Sequence, residues 1–266
     1  MKILREGLDL GAFFEGLSTA RERLLLLDYD GTLAPFRVGR EEAAPYPGVP
    51  KLLDRIIAGG RTRVVVISGR AIADLVSLMG LARLPEIWGC HGWEHRTAEG
   101  EYMPPDLTEP IKAAIAEAVE WAEDAGLADR MERKPAAVAM HWRGMPKGKV
   151  EGLRQRILSC WEGIAQGSGL EIRAFNGGVE LRPPGRDKGS AVMAVLAELG
   201  EGVTVAYLGD DLTDEDAFKA LAGKGLNVLV SGESKNTAAD VRIEPPDELI
   251  DFLERWNVAC GGMDDR

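Results

Sequence analysis

Cysteine is scarce: Cys90, Cys160 and Cys260 are the only three in 266 residues, and no CxxC pair exists. A thiolate zinc site therefore lacks ligands at the spacing it needs. An odd, sparse count suits a reducing compartment better than a disulfide framework. Histidine is equally rare, at three. His91 and His95 stand four apart, but Trp88, Gly89 and Gly92 beside them argue against the helix that would make this a metal pair. Cations are in deficit, 32 Lys and Arg against 43 Asp and Glu, for a net charge of −11. That argues against a nucleic-acid binder, which needs a basic face to displace counterions, and against docking on anionic lipid. No apolar run approaches the ~18 residues a membrane span requires. The first twenty residues carry Arg5, Glu6, Asp9 and Glu15, unlike a secretory leader. The expected address is the cytoplasm. An anionic ligand would need a metal ion or a few focused cations to offset the overall field.

What the chain does have is a set of short apolar runs, each ending in polar residues. Residues 24–27 are four leucines followed by Asp28-Tyr29-Asp30-Gly31-Thr32. Residues 64–67 end in Ser68-Gly69-Arg70, 203–208 in Gly209-Asp210-Asp211, and 226–230 in Ser231-Gly232. Continuous runs of this kind read as strands buried on both faces, as in a parallel sheet. Helical patterns lie between them, with Leu52, Leu53, Ile56 and Ile57 on one face and Val192, Val195, Leu196 and Leu199 on another. The expected fold is α/β, a doubly wound, Rossmann-like parallel sheet with right-handed crossovers and its ligand at the carboxyl ends of the strands. The middle differs. A helix over 111–125 with Ile111, Ile115, Val119 and Ala122 on one side, at least one half-exposed strand within 130–143 through Val138, Met140 and Trp142, a helix over 149–164 and a hairpin over 170–182 make a second α/β block. Proline pairs flank it, so residues 105–184 are expected to form a smaller inserted domain, with 1–104 and 185–266 as the core.

Four clusters carry chemistry. Asp28 and Asp30 are costly at the end of a buried strand unless paired, hydrated or metal-bound. Asp28 is placed to attack phosphorus, and Asp30 to protonate a leaving oxygen and then activate water. The competing reading of the same letters is a turn and helix cap. The Ser68 hydroxyl and the Gly69 amide suit a phosphoryl oxygen. Lys188 opens a helix, where its ammonium adds to the positive end of the helix dipole. Residues 210–216 hold five carboxylates in seven positions, an oxygen-rich set for a hard cation such as Mg2+. An acidic helix N-terminus explains Glu215 and Asp216, but explains Asp210 poorly.

In this order, D-Y-D-G-T at Asp28, I-S-G-R at Ser68, D-K-G at Lys188 and G-D-D-x-T-D at Asp210 resemble the haloacid dehalogenase superfamily of phosphotransferases. The resemblance implies Asp28 as nucleophile, Asp30 as general acid/base, and Mg2+ held by Asp28, the Asp30 carbonyl and Asp210. Asp211 or Asp214 would support the metal or Lys188. The 120 positions between Ser68 and Lys188 leave room for an α/β cap there, a layout similar to the sugar-phosphate phosphatases of that superfamily. Inside the insert, Glu132-Arg133-Lys134 with His141-Trp142-Arg143, Gly89-Cys90-His91-Gly92-Trp93-Glu94, and Val179-Glu180-Leu181-Arg182-Pro183 resemble trehalose-6-phosphate phosphatases over about residues 20 to 255. That implies Glu132, Lys134 and Glu180 as sugar contacts and Arg143 as the group that locks the cap over substrate, with Arg70 and His91 also on the substrate. The turn Asn176-Gly177-Gly178 departs from relatives that carry lysine there, which leaves the distal sugar open. The expected protein is a monomeric Mg2+-dependent phosphatase of a disaccharide phosphate. Alternatives are a glucosyl- or mannosyl-glycerate phosphate as substrate, or a non-catalytic sugar-phosphate sensor.

Overall fold

In the computed structural model, which describes residues 1–37, 39–200 and 202–262, strands and helices alternate along the chain. The first part holds β1 (Lys2–Ile3), α1 (Leu10–Thr19), β2 (Glu22–Leu27), α2 (Val49–Ala58), β3 (Arg63–Ile67), α3 (Ile72–Leu78), β4 (Glu86–Gly89), β5 (Glu94–Arg96) and β6 (Tyr102–Met103). Then come α4 (Glu109–Asp124), β7 (Met131–Lys134), β8 (Ala137–His141), α5 (Lys147–Ser168), β9 (Glu171–Phe175) and β10 (Gly178–Arg182). The last part holds α6 (Lys188–Ala197), β11 (Val203–Gly209), α7 (Asp214–Leu221), β12 (Leu226–Val230), β13 (Val241–Ile243) and α8 (Asp247–Ala259). The chain divides into two compact units, Met1–Tyr102 with Asp187–Arg266, and Met103–Arg186. No helix among the described residues is long and apolar enough to cross a membrane.

The larger sheet runs β1-β13-β12-β11-β2-β3-β4-β5-β6. The six strands from β13 to β4 are all parallel, with β1 and β5 antiparallel at either side. The chain winds outward from β2 through β3 to β4, returns to β11, and winds the other way to β13. The strand order thus reverses between β2 and β11, the crevice where doubly wound sheets hold ligands. Successive leucines of β2 serve opposite faces. Leu25 and Leu27 pack with Phe14, Leu53, Leu75 and Phe252 of α1, α2, α3 and α8. Leu24 and Leu26 pack with Val192 and Phe218 of α6 and α7. Helices on both faces are why the strands read as unbroken apolar runs.

The smaller unit is a four-stranded antiparallel sheet, β7-β8-β10-β9, with α4 and α5 on one face around Trp161, Ile157, Met140 and Leu181. The 131–141 stretch makes two strands, within the expectation of at least one, but β8 is buried rather than half-exposed, with Ala137, Val138, Ala139 and Met140 all covered. Trp142 lies just past its end. On α4 the most deeply buried seam is Ala114, Ala118 and Ala122, with Ile111, Ile115 and Val119 half-buried beside it. Alanines let the helix axis approach the sheet and leave the larger side chains at the margins. Helix α5 runs a full turn beyond residue 164 and stops at Gly169, which takes the left-handed conformation at φ 76°.

Candidate active site

Asp28 directly follows β2, and Asp210 directly follows β11, so adjacent parallel strands deliver both carboxylates to the switch point; the Asp28 amide donates to the Leu208 carbonyl at 2.9 Å. Asp214 enters from the first turn of α7 and Lys188 from the first residue of α6, whose Asp187 and Ser190 form a reciprocal capping box. Ligand atoms of Asp28, Asp210 and Asp214 all lie within 4.8 Å of one another, and all three residues are buried. Lys188 bridges two of them, donating to Asp28 Oδ1 at 2.6 Å and to Asp214 Oδ1 at 2.8 Å.

The three carboxylates are not equivalent. Asp214 Oδ1 also accepts the Tyr207 hydroxyl at 2.6 Å, while Oδ2 accepts the amides of Asp210 and Asp211 at 3.1 and 3.0 Å. Four donors occupy its acceptor positions, so Asp214 organises the loop and Lys188. Asp210 Oδ1 is buried with no hydrogen-bond partner, the state expected of a ligand atom aimed at a cation. Gly31 sits at φ 87°, and a Cβ there would strike the Asp210 carboxylate. Only glycine lets the D-x-D-G-T turn pass so close. The donor set is all oxygen, which suits Mg2+.

Burial first, then the Asp214 charge, pushes Asp28 up to about 7, with Lys188 pulling the other way. Burial and the charges of Asp28 and Asp214 raise Asp210 well above the usual carboxylate range. Burial alone would lower Lys188, but Asp214 and Asp28 more than offset it, so the ammonium stays charged. Three carboxylates share one lysine, and the metal-free site meets the excess by retaining protons.

Around this centre, Thr32 Oγ1 donates to Asp28 Oδ2 at 3.3 Å, and Ser68 Oγ accepts the Arg70 amide at 3.2 Å. Arg70 places its guanidinium fork on Asp30, Nε and Nη2 donating at 2.6 and 2.7 Å. The His91 amide donates to the Ser68 carbonyl at 2.9 Å. His95 lies apart from it, stacked on Trp88 and bonded to Glu86. Asp211 contributes its amide to Asp214. Sequence reasoning passed over Tyr207, Thr32 and Lys235, whose Nζ donates to the Asp210 carbonyl at 2.9 Å. Tyr207 looks like any core aromatic, and only its two-residue offset from Gly209 hints at the rim.

In the smaller unit, the face away from α4 and α5 carries a second cluster. Glu132, Ala139, Glu180 and Arg173 stand in register across the four strands. Lys134 Nζ donates to Glu180 Oε1 at 2.6 Å and lies 3.8 Å from Glu132 Oε1. His141 Nε2 is 2.8 Å from Glu132 Oε2. Arg182 lies 3.8 Å from Glu180 and donates to Glu171 at 3.2 Å. Arg143 donates twice to the Asn176 carbonyl, at 3.1 and 2.6 Å, pinning the β9–β10 turn.

The fold is similar to that of a haloacid dehalogenase-like hydrolase from B. subtilis, which superposes with a TM-score of 0.58 at 16% identity, over 87% of this chain and 98% of that one. The chain belongs to the trehalose-phosphatase family, whose model matches residues 26–246. It is 30% identical over 257 residues to the trehalose-phosphate phosphatase of Mycobacterium avium (strain 104), covering 91% of this chain and 63% of that protein. The chain thus spans a little less than two thirds of that relative. The Aspergillus fumigatus trehalose-6-phosphate phosphatase superposes with a TM-score of 0.65 at 26% identity, over 96% of this chain and 98% of that one. The C-terminal domain of the Candida albicans trehalose-6-phosphate phosphatase superposes at 0.79 and 22% identity, over 99% and 100%, a likeness of fold.

Proposed function

We propose that this chain is a Mg2+-dependent phosphatase that hydrolyses trehalose 6-phosphate to trehalose and phosphate through an aspartyl-phosphate on Asp28. The observation that carries the reading is the buried Asp28 carboxylate, bonded to Lys188 and set beside an Asp210 oxygen that lacks any partner. Asp28, Asp210 and the Asp30 carbonyl would hold the metal, which supplies positive charge to the transferring phosphoryl group and to its nucleophile.

A carboxylate oxygen of Asp28 forms a bond to phosphorus as the bond from phosphorus to the sugar oxygen breaks. Asp30 delivers its proton to that oxygen, and trehalose leaves. Asp30 then takes a proton from water, and the resulting hydroxide displaces Asp28 from phosphorus. Lys188 balances charge on the phosphoryl oxygens, and the Ser68 hydroxyl, whose oxygen accepts the Arg70 amide, is left to donate its proton to one of them. Asp214 keeps Lys188 in place, and Tyr207 stays protonated as its donor because burial and the Asp214 charge push the phenol far up.

The charged cluster of the smaller unit takes the sugar in this reading. Glu132 and Glu180 accept hydroxyl protons, and Lys134 donates. The sparse free thiols fit a cytoplasmic setting. The deciding measurement is phosphate release from trehalose 6-phosphate compared with glucose 6-phosphate and a glucosylglycerate phosphate, with and without Mg2+. Preference for trehalose 6-phosphate supports the reading. Equal rates on all three would remove the substrate assignment and leave a general sugar phosphatase.

A further inference from the structure

Two features of the larger unit go unused by the steps above. One is the fork of Arg70 on Asp30. The other is a left-handed turn, with Cys90 at φ 48° and His91 at φ 55°, conformations that side chains other than glycine adopt at a cost.

The Arg70 guanidinium is 5% exposed, and its edges are committed. Nε and Nη2 hold the two oxygens of Asp30, Nη1 donates to the Arg40 carbonyl at 3.0 Å, and the Tyr29 ring lies under it at 5.7 Å. A bidentate fork fixes both the distance and the plane of a carboxylate, which one ammonium does not. Asp30 needs such a partner. It stands in a loop turned by Gly31, and its side chain is 23% exposed.

The segment that carries Arg70 is itself clamped. The Cys90 amide donates to the Arg70 carbonyl at 2.8 Å, and the His91 amide to the Ser68 carbonyl at 2.9 Å. The buried Glu94 carboxylate accepts the Ile72 amide at 3.0 Å, the Cys90 thiol at 3.1 Å and the Tyr102 hydroxyl at 2.7 Å. His91 fills the space where a Cβ on Gly69 would stand. Residues 68, 70 and 72 are thus all tied to one strained turn.

We propose that Arg70 is a positioning residue for Asp30, and that the 90–94 turn, anchored by Glu94, is the brace that keeps Arg70 in reach. The inference rests on the reading of Asp30 as general acid/base. For transfer, Asp30 gives up one of its two bonds to Arg70, takes a proton from solvent on the freed oxygen, turns it toward the leaving sugar oxygen and donates it there, pivoting on the other bond. Arg70 then acts through Asp30 rather than on the substrate.

The test compares the transfer step in single turnovers of trehalose 6-phosphate and p-nitrophenyl phosphate, for Arg70→Ala, Arg70→Lys, Glu94→Gln, Asp30→Asn and the Arg70→Ala/Asp30→Asn pair. Nitrophenolate departs without a proton, so a misplaced acid is felt mainly with the sugar. Arg70→Ala should slow sugar transfer about 10- to 100-fold, part of the ~10²–10⁴ that acid–base help supplies, and leave the substrate KM within about twofold. The aryl phosphate should lose far less. Arg70→Lys should recover part of the rate, and Glu94→Gln should show the same pattern more weakly. In the Asp30→Asn background, Arg70→Ala should add nothing. A raised KM on both substrates with transfer intact would make Arg70 a phosphate contact and overturn the proposal. Equal losses on both substrates that add to those of Asp30→Asn would reduce Arg70 to support of the fold. If Asp30→Asn alone slows both substrates equally, the acid reading itself fails, whatever Arg70→Ala does.

Discussion

The two buried charge clusters of this molecule are built on opposite accounting. At the switch point of the larger sheet, Asp28, Asp210 and Asp214 share one ammonium, Lys188. Asp214 uses its oxygens on protein donors; burial and the Asp214 charge push Asp28 upward, and burial and the Asp28 charge push Asp210 the same way. On the smaller sheet, Glu132, Glu180 and Glu171 meet Lys134, Arg182 and His141 in pairs within 4 Å. The first cluster has an unmet need for positive charge. The second pairs each of its carboxylates with a cation or a histidine and so offers hydrogen bonds with a weaker field. Under the proposed function, the first cluster is the one suited to a cation and a phosphate, and the second to the uncharged hydroxyls of a sugar.

The comparison breaks most decisively at Asp28. Asp28→Asn removes the nucleophile and one ligand while keeping the size. Turnover of any phosphate ester should fall to background, measured as phosphate release, and activity within a few-fold of the parent would remove the covalent route. Next is Gly31→Ala. The substituted Cβ meets the Asp210 carboxylate and must also accept φ 87°, so both Mg2+ affinity and rate should drop by at least an order of magnitude. An alanine variant with the parent's Mg2+ dependence would show that Asp210 is not the group Gly31 makes room for.

Much of the larger unit was legible in the sequence because its strands are buried on both faces. The runs at 24–27, 64–67, 203–208 and 226–230 lie within β2, β3, β11 and β12, and the polar residues after them gather at one end of the sheet. β4 and β13 were not legible: Glu86, Trp88 and Arg242 interrupt their apolar pattern. Glu86 is buried only because Arg63, His95 and the Trp88 indole surround it. Asp28 and Asp210 stand out in the sequence because each follows a buried apolar run, whereas Lys188 read alone looks like a surface lysine and only the resemblance drew it to them; the structure brings the three together. What could not be read was the division of labour among the aspartates. That depends on Asp214 collecting Lys188, Tyr207 and two amides, a three-dimensional count that spacing alone does not contain. In the smaller unit, alternation showed a strand but not that Ala137 and Ala139 would be covered.

A smaller effect sharpens the other side. Glu180→Ala and Glu132→Ala each remove a proposed acceptor for sugar hydroxyls. The expected loss in kcat/KM with trehalose 6-phosphate is ~1–3 kcal/mol for each charged hydrogen bond. Hydrolysis of an aryl phosphate should be nearly unchanged. Glu180→Gln, which keeps the shape and an acceptor, should fall between the parent and the alanine variant. Equal losses on both substrates would mean that the cluster supports the sheet instead of reading sugar.

The smallest effect is on stability, and its sign follows from the direction of the shifts. Asp28 rises from an ordinary carboxylate value to about 7 in the metal-free fold, and Asp210 moves the same way. Between about pH 4 and pH 7 the folded chain therefore retains protons that the unfolded chain has released. Stability of the metal-free protein should fall as pH rises through that window, because the unfolded state binds fewer protons. Lys188 stays charged in both states there and contributes no slope. Mg2+ must displace those protons to bind, so its affinity should grow with pH. Saturating Mg2+ at a hundred times its Kd would add about 2.7 kcal/mol, or a rise in Tm of roughly 5–10 °C for a chain of this size. Thermal melts with Mg2+ or chelator should thus coincide near pH 5 and separate toward pH 7.5. Glu132→Ala and Glu180→Ala should leave that separation unchanged, while Asp210→Asn should shrink it. A gap that is constant across pH, or one that moves with the Glu180 variant, would show that the two clusters do not divide charge in this way.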